Sequence, residues 1–447
     1  MITINEFLDN YFERFLTGKD KIPFKDKVIN QIYNPLYYMK NSKFNFHLKK
    51  NFYKKSDILV PFFSYRSDHE LLIYPVLKEL SQRGFNITLI IPRNACNSIN
   101  LIPLKDSINI ITFESLYSSR FLYLKVQKMY ENELKKQEEE YIKKGFNKFY
   151  IKKTFLKYAY DYLIAQEVIK ELKPQLVYSI QLVLNPGWLT VLKENKIKLH
   201  LIQHGFFNGN EHDFIGCDLV YLWGDYHKSR LKLLDNNLKS LVVGNPKMQH
   251  IKSLFNEKQE KEGKNLTALV VSSAESFDEL EMIEKTIKFL KHEGISIIYK
   301  LHPSEKKRKY KKWLNEKLVL PNEINNQKMI YPLMEESDIV IGGYSTAVNE
   351  AAYLGKLVIR IDYTNSLNMI EDGIKKITSL HELKGIIKGI KESKDKEKYL
   401  VKQNKKISHY LFNGEFDAAT LIAKSIKDKL EMTQIKELTQ INKMNGY

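Results

Sequence analysis

Apolar residues along this chain follow two rhythms. Short continuous apolar runs alternate with longer stretches in which apolar residues recur every three or four positions. The first rhythm marks buried strands, and the second marks helices that turn one face to a core. Residues Ile58-Leu-Val-Pro-Phe-Phe-Ser-Tyr-Arg-Ser-Asp-His-Glu70 read as strand, serine-bearing loop and helix, with the helical pattern running to Leu80. Residues Ala268-Leu-Val-Val-Ser-Ser-Ala-Glu-Ser-Phe-Asp-Glu279 repeat that plan, with a helical pattern to Leu290. Both helices open with capping-box spacing, Ser67 with Glu70 and Ser276 with Glu279. Further strands are predicted at Phe85–Pro92 and Ile108–Phe113, and again at Ser296–Leu301, Ile339–Ile341 and Leu357–Ile361. Alternating strands and helices predict parallel sheets. Two such starts predict an α/β protein with two Rossmann-like domains.

The polar stretch 256–265 is the expected boundary, giving domains 1–255 and 256–395 and a closing segment 396–447. Residues 120–172 read as a helical insert in the N-terminal domain, broken at Gly145, with the charge run Glu138–Lys144 on a solvated face. The first 50 residues read as helical and irregular, leading into an aromatic and basic patch from Tyr37 to Tyr53. Residues 396–430 read as a closing helix pair and residues 431–447 as a frayed tail.

Composition narrows the compartment and the partners. At 447 residues the chain is long enough for two or three cores. No run approaches the roughly 18 apolar residues of a membrane span. The start, Met1-Ile-Thr-Ile-Asn-Glu-Phe-Leu-Asp9, has early acids and no long apolar core, so no secretory signal is expected. Two cysteines, Cys96 and Cys217, fit a reducing compartment and give neither a disulfide framework nor a zinc cluster. The expected location is cytoplasmic, extending to the inner face of the cell membrane. The net charge of +18 fits nucleic acid, anionic lipid or a polyanionic substrate. There are no arginine-glycine repeats, zinc-finger spacings or paired RNA-stacking aromatics, so nucleic acid is not an expected partner. Peripheral contact with an anionic membrane is retained as an expectation. The excess of lysine over arginine, with abundant asparagine and isoleucine, equally fits an AT-rich genome.

The densest chemistry lies between Ser337 and Arg360. Gly342 and Gly343 let a backbone or ligand approach closely. Ser345 is an N-cap for a helix Thr346–Leu354, and Gly355 is its stop. Free amides and the helix dipole at such a start attract an anion. Ser345 and Thr346 stand where a phosphate would sit, and Glu350 follows one turn later, within reach of a ribose hydroxyl. Two histidines also stand at strand ends. His204 follows the strand Lys198–Ile202 and precedes Gly205, where it can serve as a general base or bind an anion. His302 is held extended by Pro303 and can donate to a phosphate oxygen. The plainer readings are a loop histidine bonded for structure, a packing histidine and a well-capped strand–helix unit. Val220–Gly224 and Leu241–Pro246 read as short strands with sharp stops. No phosphate loop, G-x-G-x-x-G, kinase or serine-hydrolase signature occurs.

Taken in order, Gln203-His204-Gly205, Trp223-Gly224, Gly244-Asn245-Pro246, His302-Pro303 and Tyr344-Ser345-Thr346 with Asn349-Glu350 resemble the two-domain glycosyltransferase architecture called GT-B. Within it, the chain resembles bacterial surface-polysaccharide transferases. That group includes capsule and sialic-acid transferases that use CMP-sugars and teichoic-acid polymerases that use CDP-alcohols. The resemblance covers about residues 55–365. It implies two Rossmann-like domains facing a cleft. The C-terminal domain would hold the nucleotide, with His302, Gly343, Tyr344, Ser345 and Thr346 at the donor phosphate and Glu350 at the ribose. The N-terminal domain would hold a glycan or lipid-linked acceptor. There His204 is the first choice as proton acceptor, with Asp68 the better orienter. No Asp-x-Asp ends an apolar strand, so no obligatory metal is expected, and no cofactor beyond a nucleotide-sugar co-substrate, CMP-type favoured. Gly-Gly-Tyr-Ser-Thr stands where the teichoic-acid enzymes show an aspartate before the hydroxyl pair, which favours glycosyl transfer. The alternatives are polyol-phosphate transfer from a CDP-alcohol, nucleotide-sugar epimerisation, and non-catalytic binding of polysaccharide or membrane.

Overall fold

The structure, a computed structural model, describes residues 55–62, 67–98, 101–112, 115–116, 120–143, 148–180, 186–205, 214, 216–234, 237–255, 266–272, 277–301, 324–325, 330–343, 345–362, 374–392, 407, 410–413 and 417–444. These fall into two compact units. Unit 1 takes the chain up to Leu222, Lys228–Pro246 and the chain from Ala418; unit 2 takes Trp223–His227 and Lys247–Asp417.

Among the described residues of unit 1, the strands are β1 (Ile58–Pro61), β2 (Ile87–Ile91), β3 (Asn109–Thr112), β4 (Leu176–Ile180), β5 (Lys198–Ile202), β6 (Leu219–Leu222) and β7 (Ser240–Val242). They form one sheet in the order β3-β2-β1-β4-β5-β6-β7, with every pairing parallel. Strands β1, β2 and β4 are buried at every position, which is why their sequences are largely apolar rather than alternating, with Thr88 and Ser179 the polar exceptions. Helix α1 (Ser67–Gln82) crosses from β1 to β2.

The expected insert lies between β3 and β4. It begins with α2 (Arg120–Met129), continues through a wider π-type turn, Tyr130–Leu134, into α3 (Lys135–Lys143), and resumes as α4 (Lys148–Leu172). Gly145 lies outside the described residues. The charge run differs from its expected solvated face at Glu138, which is 4% exposed and accepts a hydrogen bond from the Tyr130 hydroxyl. The π-type turn buries Tyr130 and so gives that carboxylate a partner. Helix α4 joins the core through Phe155, Ala159 and Ala165. It packs against α5 (Pro186–Glu194) so closely that a Cβ on Gly187 would lie 2.5 Å from the Tyr162 amide nitrogen.

Unit 2 repeats the plan. Its described strands are β8 (Thr267–Val271), β9 (Ser296–Lys300), β10 (Ile324–Asn325), β11 (Ile339–Gly342), β12 (Leu357–Ile361) and β13 (Lys375–Ile377). Their order is β10-β9-β8-β11-β12-β13, again wholly parallel. Helix α6 (Asp225–Leu234) begins in unit 2 and ends in unit 1. Helices α7 (Pro246–Leu254), α8 (Phe277–His292), α9 (Ile330–Glu336), α10 (Thr346–Tyr353) and α11 (Leu380–Glu392) follow. The core of this unit gathers Val270, Ile287, Tyr299, Ile341, Ile359 and Ile387.

Helix α12 (Ala418–Met444) belongs to unit 1 and packs on α1. It continues through residues 431–444, which were expected to fray. Of the expected closing pair it is the helix described; residues 393–406 lie outside the description, as do 1–54 with the aromatic and basic patch and the linker 256–265.

Both sheets reverse their strand order once. The reversal falls between β1 and β4 in unit 1 and between β8 and β11 in unit 2. In open α/β sheets, ligands collect at the carboxyl ends of the strands flanking such a reversal.

Candidate functional site

In unit 2 the reversal point carries the glycine and hydroxyl segment. β11 ends on Gly342, where a Cβ would sit 2.5 Å from Val271 Cγ2 and 3.0 Å from Val348 Cγ2. The missing side chain therefore serves close packing between β8, β11 and α10. The chain bends at Gly343, and Ser345 takes extended backbone angles (φ −136°, ψ 134°) as the N-cap of α10. Its Oγ accepts a hydrogen bond from the Ala347 amide at 3.3 Å. The hydroxyl proton remains a donor for an anion, because a capping serine accepts with a lone pair and donates separately. Thr346 is the first helical residue and is half-buried. Past the end of α10, Gly355 adopts φ +85°, the left-handed conformation expected of the stop.

Glu350 lies one turn into α10 and is buried. One carboxylate oxygen pairs with the ammonium of Lys247, and the other accepts the Tyr331 hydroxyl at 3.1 Å. Lys247, from the first turn of α7, is itself buried and lies 5.8 Å from the centroid of the Tyr331 ring. Burial, and then the charge of Glu350, raise the Tyr331 phenol far above its ordinary pKa, so it stays a donor at neutral pH. Next to this trio, the buried guanidinium of Arg360 donates to Asn349 Oδ1 at 3.0 Å. Lys247 was not among the residues read from sequence. Its one visible signal was the sharp Gly244-Asn245-Pro246 stop before it.

Trp223 and Gly224 are spent on packing. The Trp223 ring stacks on Phe412 at 5.9 Å, Phe412 meets Tyr353 at 5.0 Å, and Gly224 has the backbone of Tyr410 and Leu411 where a Cβ would be.

In unit 1, His204 lies two residues beyond β5. Gly205 takes φ +69°, and the Gln203 amide donates to the Gly205 carbonyl at 2.8 Å, closing the turn around the histidine. His204 meets His69, in the first turn of α1: the two Nε2 atoms lie 2.7 Å apart with ring planes at 74°. His69 is buried. Its neighbour Glu70 accepts the Ser98 hydroxyl at 2.5 Å; the Ser67 side chain, with the capping-box contact expected of it, lies outside the described residues. The backbone of Asp68 belongs to α1, but its side chain lies outside the described residues, as do His302 and Tyr344 entirely.

An open groove of about 790 Å³ lies elsewhere on unit 2, between α8 and α11, with Lys288, Lys384, Lys388 and Lys391 on its walls. It contains none of the candidate residues. Among the described residues, no group of three or more His, Cys, Asp or Glu is arranged to hold a metal ion, and no helix is long and apolar enough to cross a membrane.

No protein-family model matches the chain. No curated protein matches it. Solved structures do share its fold. The UDP-GlcNAc 2-epimerase from Methanocaldococcus jannaschii superposes with a TM-score of 0.53 at 15% identity, covering 83% of this chain and 99% of that one. The UDP-GlcNAc 2-epimerase from Neisseria meningitidis bound to UDP-GlcNAc gives 0.52 at 12% identity, covering 83% and 99%. The co-structure of S. aureus MnaA with UDP gives 0.54 at 14% identity, covering 84% and 97%. The chain therefore has a GT-B-like fold of two Rossmann-like domains.

Proposed function

We propose that this protein is a glycosyltransferase that moves a sugar from a nucleotide-activated donor, CMP-type favoured, to a glycan or lipid-linked acceptor of a surface polysaccharide, without an obligatory metal. The observation that carries the reading is the Ser345-capped start of α10 at the strand-order reversal of unit 2. Two hydroxyl side chains and the positive end of the helix dipole stand there, at a position suited to a phosphate. Neighbours of the same fold bound to UDP and UDP-GlcNAc support a nucleotide-sugar ligand.

In this reading unit 2 holds the donor. Ser345 and Thr346, with Gly343, Tyr344 and His302, receive the phosphates, and Glu350 meets the ribose. Each oxygen of Glu350 keeps a second lone pair beyond those facing Lys247 and Tyr331. Unit 1 supplies the base. The acceptor O–H bond breaks and its proton passes to His204, with Asp68 as orienter. The acceptor oxygen bonds to the anomeric carbon, and the carbon–phosphate-oxygen bond breaks with its electron pair leaving on the nucleotide. Donors at the helix start stabilise that developing charge.

Thermal unfolding with CMP, UDP and GDP nucleotides tests the donor site. A nucleotide at 100 times its Kd adds about 2.7 kcal/mol of stability; if none raises the melting temperature, the reading fails. A second reading, nucleotide-sugar epimerisation, is favoured by the epimerase neighbours and is distinguished by donor turnover without acceptor. Peripheral contact with an anionic membrane, motivated by the +18 charge, predicts co-sedimentation with anionic but not neutral vesicles.

A further inference from the structure

The strand ends of unit 1 bring together two histidines 135 residues apart in sequence. Strands β1 and β5 both border β4, so α1 and the turn after β5 rise on either side of its carboxyl end, at the reversal point. His69 comes from the first and His204 from the second. Their Nε2 atoms are 2.7 Å apart, the separation of a short hydrogen bond. Two histidine nitrogens on one tetrahedral zinc, each about 2.0–2.1 Å from the metal, would stand roughly 3.3 Å apart. The observed distance is therefore that of a shared proton and not of a metal clamp. Two imidazoles in this contact hold a single proton between them: one nitrogen donates, and the other must offer its lone pair.

We infer that His69 is a positioning residue for proton acceptance by His204. The role rests on the glycosyl-transfer reading above. Buried on α1, His69 offers its Nε2 lone pair to the Nε2–H of His204. That fixes the His204 tautomer and places its own lone pair on Nδ1, the nitrogen that takes the acceptor hydroxyl's proton. When His204 becomes an imidazolium, the His69 lone pair already faces the charged ring, so stabilisation requires no rearrangement. The near-perpendicular rings, with centroids 4.3 Å apart, leave His204 one orientation in which this bond survives.

The test uses the full chain with 15N-labelled histidine. In the wild type, His204 is expected as the single Nε2–H tautomer. In His69→Leu it becomes a mixture, while His69→Gln, whose amide oxygen reaches the same position, restores the single form. An unchanged tautomer in His69→Leu overturns the pairing. Turnover is measured with CMP- and UDP-sugars. General-base catalysis contributes roughly 100- to 10,000-fold, and loss of its orientation is expected to lower kcat on the order of 10- to 100-fold in His69→Leu, with donor KM within about twofold and kcat largely recovered in His69→Gln. If His69→Leu does not fold, His69→Phe keeps the ring volume without the nitrogens. Should the wild type turn over none of the donors, the functional reading falls and this role with it. Should the wild type work and His69→Leu keep its kcat, the positioning role alone falls.

Discussion

Lys247→Met separates support of the unit 2 site from contact with a ligand. The substitution keeps the length of the side chain and removes its ammonium. Lys247 and Glu350 are only 7% and 5% exposed at their side chains, so water cannot replace the lost partner. At an effective dielectric of about 20 and a contact distance of roughly 3 Å, the pair attracts by about 5 kcal/mol before desolvation is counted. Deleting one member of a buried pair typically costs about 3–5 kcal/mol, because the survivor stays buried and charged. The Tyr331 hydroxyl still donates to Glu350 and keeps the loss at the lower end, near 3 kcal/mol as a rough figure. For a domain the size of unit 2 unfolding as one transition, that corresponds to roughly 8 °C in melting temperature. The companion Lys247→Met with Glu350→Gln removes both charges of the pair and keeps an oxygen for Tyr331. It is expected to recover more than half of the loss, roughly 2 kcal/mol of coupling in a double-mutant cycle. Urea unfolding of the four proteins provides the cycle. A cost below about 1 kcal/mol for Lys247→Met, or simple additivity in the double variant, would refute a buried, mutually dependent pair.

Further outcomes follow from other named contacts. Ser345→Ala with Thr346→Ala is expected to weaken nucleotide binding, whereas His204→Ala lowers turnover with donor affinity near normal; equal loss of affinity in both, by calorimetry, would refute that division. Gly187→Ala places a Cβ within 2.5–2.9 Å of Tyr162, Tyr158 and Asp161 backbone atoms, and is expected to destabilise unit 1 by about 1–3 kcal/mol in urea despite the better helix propensity of alanine. Burial lowers the His200 pKa to about 4, below its unfolded value near 6.5. The neutral ring therefore contributes fully above about pH 6.5, and its contribution is lost as pH falls towards 4, at up to about 1.4 kcal/mol per unit. His200→Gln should flatten that limb by about one proton, read from unfolding free energies across pH 4–7; an unchanged slope counts against the assignment.

Among the strands that could be read from sequence, several are buried at every position. Ile87–Ile91 and Leu357–Ile361 are buried at every position and apolar except for Thr88 and Arg360, which is what made them readable. The two edges of the unit 2 sheet were harder. Lys375–Ile377 carries two lysines and Ile324–Asn325 is two residues long, because an edge strand needs only one partner and little burial. Strand Leu176–Ile180 was also missed, although it is fully buried. At the candidate site, Ser345 was legible because a cap bonds within two residues of itself. His69 with His204, and Lys247 with Glu350, are pairs more than 100 residues apart, made by topology rather than local pattern. Asp68 drew notice one position away from the histidine that makes the described contact. Glu138 shows the reverse error: a charge run looks solvated until a distant turn of helix supplies a hydroxyl.

The return of α12 to unit 1 has a consequence for how the chain is made. Its buried face, with Ala418, Ile422, Ala423, Ile426 and Leu430, leaves the ribosome only after unit 2. The elements that it covers, α1 included, are made before unit 2, and the Tyr221 hydroxyl waits for Ser425. At about 5–20 residues per second, unit 1 stays incomplete for roughly ten seconds or more while unit 2 is synthesised. A stop codon just before Ala418 would therefore harm unit 1, although most of that unit precedes it, leaving an apolar face on a nascent domain for chaperones to hold.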